Sequence, residues 1–137
     1  MTLPLLSEEQ EQIAFVNWLE IKGIKFSAIP NSTYTKSWSV KNRNTRTGVR
    51  AGLPDLLIAL PHKGLLFIEM KRVKRGVVSE AQKSWIEVLN TIPGVEAVVC
   101  LGCEAAIACV SEHIGDSIST TPLPSKGVAL KTNNDTF

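Results

Sequence analysis

The chain has 137 residues, enough for one domain whose core closes over a central sheet, with little left for a second folding unit. Its apolar runs are far shorter than the roughly 20 residues of a membrane-spanning helix, and its N-terminus has no basic start followed by an apolar stretch, so we expect a cytoplasmic protein (host cytoplasm if viral) with no membrane partner. The net charge of +2 is too small to indicate nucleic-acid binding by itself.

The first predicted helix begins at Ser7, a suitable N-cap, and ends at Gly23. Its apolar residues recur at helical spacing, and acidic residues fill its first turns. Residues 24–29 then predict a first strand. Residues 32–52 are rich in Thr, Ser, Asn and basic residues without apolar periodicity, so we predict a long loop. Loops this long in small domains are usually functional or disordered.

Two apolar runs, 55–60 and 64–70, predict a β-hairpin joined by residues 61–63. A second helix at 79–91, a strand at 95–101 and a third helix at 103–114 follow. This order predicts an α/β layered domain over residues 1–114. Residues 115–137 are rich in Ser, Thr, Pro and Asn, and we expect them to form a disordered tail.

Three cysteines leave an odd thiol under any single disulfide pairing, as expected in a reducing compartment. Cys100 and Cys103 form a C-x-x-C spacing that is compatible with redox chemistry or half a zinc site. His62 and His113 lack ligand-like spacing with them, so the pattern favours core packing for Cys100 and Cys103.

Basic residues are concentrated in segments 31–51 and 71–75, which hold nine of the fifteen Lys and Arg residues and none of the thirteen acidic ones. The pattern favours contact with phosphates over an ordinary solvated loop. Tyr34 and Trp38 could stack on an exposed base or pack beneath the loop. The predicted phosphate contacts are Lys36, Lys41, Arg43, Arg46, Arg50, Arg72, Lys74 and Arg75.

The predicted hairpin brings charged residues together. If residues 61–63 form a three-residue connection, Asp55 falls opposite Glu69. Directly paired residues place their Cβ atoms about 4.5 to 5.5 Å apart on one face, where like charges destabilise the sheet unless something neutralises them. Lys71 points to the same face. Because the neighbouring residues on both faces are apolar, we predict a sheet covered on both sides, with these charges at its open end.

Phosphodiester hydrolysis uses these residue types. Carboxylate oxygens hold Mg²⁺, which can activate water and stabilise charge on the phosphate. A lysine can orient the nucleophile or offset charge in the transition state. The alternative is that Asp55 caps a turn while Glu69 and Lys71 lie on an exposed edge. The acid after a proline, the short apolar hairpin, the E-x-K and the basic flanks together favour a metal site.

These motifs resemble the PD-(D/E)XK nuclease superfamily and, within it, the VRR-NUC family (virus-type replication-repair nuclease). The similarity spans residues 7–114 and rests on Gly52-Leu53-Pro54-Asp55, on Phe67-Ile68-Glu69-Met70-Lys71-Arg72, and on Ser79-Glu80-Ala81-Gln82 with Trp85. It implies a restriction-endonuclease-like core, with a central mixed sheet of about four strands flanked by helices. It also implies that Asp55 and Glu69 are metal ligands, that the Met70 carbonyl adds a third and that Lys71 is catalytic.

In such nucleases an acid on the first helix often completes the metal site, and a glutamine on the helix after E-x-K faces it. Glu8, together with Gln12 six residues before Trp18, resembles the first-helix pattern of the family. Glu9 and Glu11 are alternatives, and favourable placement at a helix N-terminus would explain all three acids without catalysis. Gln82 matches the second feature, although Ser79-x-x-Gln82 is also a capping box.

The resemblance therefore implies a Mg²⁺- or Mn²⁺-dependent endonuclease acting on DNA, selective for branched DNA such as four-way junctions, without an organic cofactor. Cutting both strands would imply a homodimer. Two other functions remain open: a non-catalytic nucleic-acid-binding protein that retains the fold, and a thiol or zinc protein centred on Cys100 and Cys103. The residues do not distinguish DNA from RNA as the substrate.

Overall fold

A computed structural model describes residues 4–30, 37–74, 76–115 and 129–131. Four helices and five strands lie within them. In chain order these are α1 (Glu8–Lys22), β1 (Phe26–Ala28), α2 (Trp38–Arg46), β2 (Leu56–Leu60), β3 (Gly64–Lys71), α3 (Glu80–Leu89), β4 (Val95–Leu101), α4 (Cys103–Ile114) and β5 (Ala129–Lys131). The longest described helix, α1, has 15 residues, so none of the described helices has the length of a membrane-spanning one.

The strands form one mixed sheet in the order β1-β2-β3-β4-β5. The β2–β3 hairpin has the predicted register, with Leu60 opposite Gly64 and Leu56 opposite Ile68. The β3–β4 pair is parallel, and α3 supplies the crossover that such a pair requires. The other neighbouring pairs are antiparallel. The α/β layered fold with a mixed sheet is therefore confirmed.

The helices cover the two faces of the sheet unequally. On one face, Phe15 and Leu19 of α1 and Val110 of α4 belong to the main buried core with residues of β2, β3 and β4. On the other face, Ile86 of α3 packs in a smaller cluster with β4 residues. The prediction of a sheet covered on both sides holds for β4, whereas Leu65 of β3 is 38% exposed.

Local capping signals explain where α1 and α3 begin. The side chains of Ser7 and Ser79 each accept a hydrogen bond from the backbone three residues ahead, and a glutamine returns the bond in both cases. These are the two halves of a capping box. Gly23 ends α1 as predicted. There Ile24 donates its backbone N–H to the Leu19 carbonyl, which leaves β1 shorter than the predicted strand at 24–29.

The prediction of one long loop over residues 32–52 is wrong for residues 38–46, which form α2. Ser37 caps this helix by accepting a hydrogen bond from the Val40 N–H at 3.3 Å. None of the nine residues of α2, all of which the structure describes, is buried. Because the helix has no apolar face, hydrophobic periodicity could not reveal it.

The strand β5 lies in the segment for which the sequence predicts a disordered tail. It pairs antiparallel with β4, with Ala129 opposite Cys100 and Lys131 opposite Val98. The sequence analysis did not predict this strand. Most of the tail lies outside the described residues, so its disorder and the domain boundary at 114 stay predictions.

Candidate active site

The hairpin places Asp55 and Glu69 side by side at one end of the sheet. Since Leu56 pairs with Ile68, the next position along the ladder sets Asp55 opposite Glu69. The carboxylate Oδ2 of Asp55 accepts a hydrogen bond from the Met70 backbone N–H at 2.8 Å. This bond holds Asp55 against the strand that carries Glu69. The alternative of an exposed edge does not describe Glu69, which is 1% exposed.

The first turn of α1 adds Glu8 to this pair. One carboxylate oxygen from each of Glu8, Asp55 and Glu69 lies within 4.8 Å of the other two. Glu9, by contrast, is exposed to solvent. Glu11 is buried, and its Oε1 accepts a hydrogen bond from the Cys103 backbone N–H at 2.8 Å, at the start of α4. Of the three acids proposed from the sequence, the structure therefore brings Glu8 to the hairpin.

Lys71 and Gln82 both contact Glu69. The Lys71 Nζ lies 3.4 Å from Glu69 Oε2, and the Lys71 residue is buried. The Gln82 Nε2 donates a hydrogen bond of 2.7 Å to the same oxygen, while its Oε1 accepts from the Ser79 N–H at 2.8 Å. Gln82 therefore caps α3 and also donates a hydrogen bond to the Glu69 carboxylate, so capping and facing the acidic cluster are compatible.

The loop before Asp55 is fixed by α3. The indole Nε1 of Trp85 donates a hydrogen bond of 3.1 Å to the Ala51 carbonyl. Gly52 has φ +100° and packs so closely on Ala81 that a Cβ at this position would lie 2.6 Å from the Ala81 backbone. Only glycine accommodates both the conformation and the contact. The similarity over residues 52–55 therefore has a physical basis in the position of Asp55.

The electrostatics of the site favour a bound cation. Burial raises the pKa of Glu69 to about 8, with further contribution from the nearby Asp55 carboxylate. Burial also raises the pKa of Asp55, against the opposing effects of the Met70 N–H and Lys71, and it raises the pKa of Glu8. Lys71 opposes the rise in pKa of all three acids and Arg72 opposes that of Glu8, but the effect of burial is larger.

The buried oxygen Glu69 Oε1 tests whether a metal ion would fit. It has no hydrogen-bond partner among the described residues. An unpaired buried carboxylate oxygen is costly, and hard divalent cations take such oxygens as ligands. Glu8, Asp55 and Glu69 therefore fit a divalent cation. The Met70 side chain is buried in the main core, and the role predicted for its carbonyl stays a prediction.

The predicted phosphate-binding residues lie in two exposed groups. Lys36 and Arg75 are outside the described residues, as is Tyr34. Arg72 and Lys74 line a hollow beside the start of α1. The other group consists of exposed basic side chains on and just after α2, namely Lys41, Arg43, Arg46 and Arg50. Trp38 is 77% exposed and does not pack beneath this segment.

The cysteines form no metal site within the described part of the chain. Cys100 is buried in the main core and Cys103 packs partly buried against it. The Sγ of Cys109 lies 3.9 Å from Nδ1 of His113, whose Nε2 pairs with Glu96 at 3.3 Å. The single group of three or more close metal-ligating side chains found among the described residues is the acidic one.

Two comparisons with known proteins point to the same family. The VRR-NUC domain model matches residues 5–104. A solved structure described as a VRR_NUC domain protein has a TM-score of 0.68 and 27% sequence identity, over 83% of this chain and 93% of the other. No curated protein sequence matches the chain.

A nuclease family implies a nucleic-acid substrate and a divalent cation, which Glu8, Asp55 and Glu69 could hold. The family match covers most of the sequence, and the fold agrees with that of the solved relative. The chain therefore belongs to the VRR-NUC family of nuclease domains.

Proposed function

We propose that the protein is a Mg²⁺- or Mn²⁺-dependent endonuclease that hydrolyses DNA phosphodiester bonds and prefers branched DNA such as four-way junctions. The observation that carries this proposal is the convergence of three carboxylates within 4.8 Å, beside a buried lysine. Carboxylates this close repel one another when they are ionised, and a divalent cation between them removes this repulsion and supplies the chemistry of phosphodiester hydrolysis.

In this proposal Glu8, Asp55 and Glu69 hold the cation, and the Met70 carbonyl is a further ligand. A divalent cation supplies Lewis-acid stabilisation of the scissile phosphate and lowers the pKa of an attacking water. Asp55 is kept in place by the Met70 N–H, which donates a hydrogen bond to one of its two carboxylate oxygens. Glu69 is held through Oε2 by Gln82, which leaves Oε1 for the ion.

Lys71 is proposed to act on the phosphate or on the nucleophile. Its Nζ approaches Glu69 from the same face of β3, so it lies next to the atoms that would hold the ion. An ammonium there can orient an attacking water and offset the negative charge that develops on the phosphate. Because Lys71 is buried, water screens this charge poorly and its effect on the phosphate is strong.

The distribution of positive charge supports a branched substrate. The exposed basic residues fall into two groups, one beside the start of α1 and the other on and after α2. Each group can contact phosphates in a different part of a branched substrate, and such contacts position DNA without reading its sequence. Cutting both strands of a junction requires two active sites, so the proposal includes a homodimer with twofold symmetry.

The test is a substrate panel. Purified protein is incubated with a four-way junction, a linear duplex and a single strand of the same sequence, in Mg²⁺, Mn²⁺ or chelator. We expect metal-dependent cutting, fastest on the junction and lost in Glu69→Ala and Lys71→Ala. Glu87→Gln, which changes an exposed acid on α3, is the matched control. Tight binding without cutting in either metal would contradict the proposal and leave a non-catalytic binding protein.

A further inference from the structure

The helix α2 lies on the surface of the domain. No residue in it is buried, although the structure describes all nine. A helix this short is marginal in water unless it packs against something. The helix carries an exposed tryptophan and three basic residues and has no acid. Burial in the core does not explain this choice of residues.

On both sides of α2, the described chain is attached to the domain next to Asp55. Where the chain leaves β1, the Ile29 N–H donates a hydrogen bond of 2.8 Å to the carbonyl of Asp55 itself. Where it returns, Ala51 is bound by Trp85 and leads directly into Asp55. The nine residue steps from Arg46 to Asp55 can span at most about 30 Å. The chain before α2 is therefore bound at Ile29 and the chain after it at Ala51, both near Asp55.

One side of α2 combines an aromatic ring with guanidinium groups. Trp38, Asn42 and Arg46 are four residues apart and share one face of the helix. They line one hollow together with Ser39, Arg43 and Thr47. The Trp38 side is open to solvent, since the residue is 77% exposed. A large exposed aromatic residue among positive charges is typical of surfaces that bind single-stranded nucleic acid.

We propose that α2 selects unpaired nucleotides: Trp38 stacks on an unpaired base while Arg43 and Arg46 contact the flanking phosphates. Bases within a continuous duplex already stack on each other, so the ring can reach a base face only at a gap, a bulge, a branch point or a single-stranded end. The polar side chain of Asn42 lies on the same face, within the hollow that would take the base. The selected substrate then carries unpaired nucleotides near the scissile bond.

This inference rests on the proposed nuclease function, but its test does not need cutting. The affinity for two labelled DNAs is measured by fluorescence anisotropy in chelator: a continuous duplex, and the same duplex with a short unpaired segment. The quantity compared is the ratio of the two affinities. It is measured for the wild type, Trp38→Ala, Trp38→Phe and the control Ile21→Ala, which removes a residue 84% exposed on α1.

We expect Trp38→Ala to lower the preference for the unpaired substrate by about 5- to 100-fold, as loss of one stacked base implies. Trp38→Phe should restore most of the preference, and Ile21→Ala should not change it. A double Arg43→Gln/Arg46→Gln variant should weaken binding of both DNAs and reduce its salt dependence. Thermal unfolding of each variant checks that the fold is intact, as expected for residues that are not buried.

The inference is overturned if Trp38→Ala leaves the ratio unchanged, or if it weakens binding to both DNAs equally. Either result can occur while metal-dependent cutting persists, in which case the nuclease proposal stands without it. Conversely, the protein could fail to cut DNA while Trp38→Ala still lowers the preference for the unpaired substrate. That result would contradict the nuclease proposal and support the role of α2 in binding unpaired nucleotides.

Discussion

Replacing Glu69 by glutamine should stabilise the metal-free protein at alkaline pH. Burial of this side chain, together with the neighbouring Asp55, raises its pKa from 4.5 to about 8. Between these two values the native protein holds a proton that the unfolded chain has lost. The free energy of unfolding therefore falls as the pH rises through this window in the absence of metal.

The magnitude follows from the pKa. At about 1.4 kcal/mol per pKa unit, ionising Glu69 in the native state costs on the order of 5 kcal/mol relative to the unfolded chain. From pH 6 to pH 8, this one group should lower the free energy of unfolding by about 2 kcal/mol. Glu69→Gln removes the ionisation but keeps an oxygen that can accept from Gln82. Its pH dependence should be flatter by that amount.

The assay is urea unfolding followed by tryptophan fluorescence at pH 6, 7 and 8 in chelator. The wild type is compared with Glu69→Gln and with Glu87→Gln, which neutralises an exposed acid on α3. Groups remote from the site contribute equally to the three proteins, so the difference in slope reports Glu69 and the carboxylates coupled to it. Saturating Mn²⁺ should remove the fall in the wild type, because the cation neutralises the native carboxylates.

Equal slopes for the wild type and Glu69→Gln in chelator would refute this reasoning. So would a wild-type stability that rises from pH 6 to pH 8 while that of the variant does not. Either result would mean that Glu69 is ionised at little cost without metal.

Three further substitutions test other parts of the structure. Lys71→Met should lower the single-turnover cleavage rate by at least about 100-fold, because the ammonium no longer stabilises the transition state. The Mn²⁺ affinity, measured by calorimetry, should stay equal or increase, because a positive charge beside the carboxylates has been removed. Glu11→Ala should lower the free energy of urea unfolding by about 1 to 2 kcal/mol, since the Cys103 N–H loses its buried acceptor. Gly64→Ala should lower the free energy of unfolding, measured by thermal denaturation, by about 3 kcal/mol or more. The reason is that φ at Gly64 is +140° and a Cβ there would lie 1.8 Å from the Gly94 carbonyl oxygen.

Each of these expectations can fail on its own. Retained cleavage in Lys71→Met would remove the lysine from the chemistry, and weaker Mn²⁺ binding would make it a support for the metal site. Wild-type stability in Glu11→Ala would show that α4 does not depend on this cap. A mild effect of Gly64→Ala would mean that the hairpin end can shift away from Gly94.

Much of the fold follows from local signals in the sequence. The two capping boxes mark the starts of α1 and α3, and the bounds of β4 and α4 agree with the prediction. The register of the hairpin follows from its three-residue connection and was predicted correctly. This register is what allows Asp55, Glu69 and Lys71 to be assigned to one end of the sheet before the structure is known.

The missed elements lack such signals. The helix α2 has no apolar face, so only its cap at Ser37 and the absence of proline from its interior could have indicated it. The strand β5 is short and depends on pairing with β4 across a long stretch of chain. Pairing of this kind is set by tertiary context more than by the propensity of three residues.

The choice among the acids of α1 also needs tertiary structure. Glu8, Glu9 and Glu11 all lie in the first turn, where the helix dipole favours each of them. Glu11 accepts a hydrogen bond from the Cys103 N–H at the start of α4, 92 positions along the chain. No sequence pattern predicts a contact between residues so far apart. The packing of α1 on the sheet is what leaves Glu8 beside the hairpin.

The most direct measurement is the position of Mn²⁺ in a crystal soaked with the ion, located by anomalous diffraction. The proposed mechanism predicts an ion within about 2.0 to 2.3 Å of carboxylate oxygens of Asp55 and Glu69, with Glu8 on the same ion directly or through a water. The ion should be absent from crystals of Glu69→Gln. An ion bound elsewhere in the domain, or none at saturating Mn²⁺ in a protein that still cuts DNA, would contradict the proposed active site.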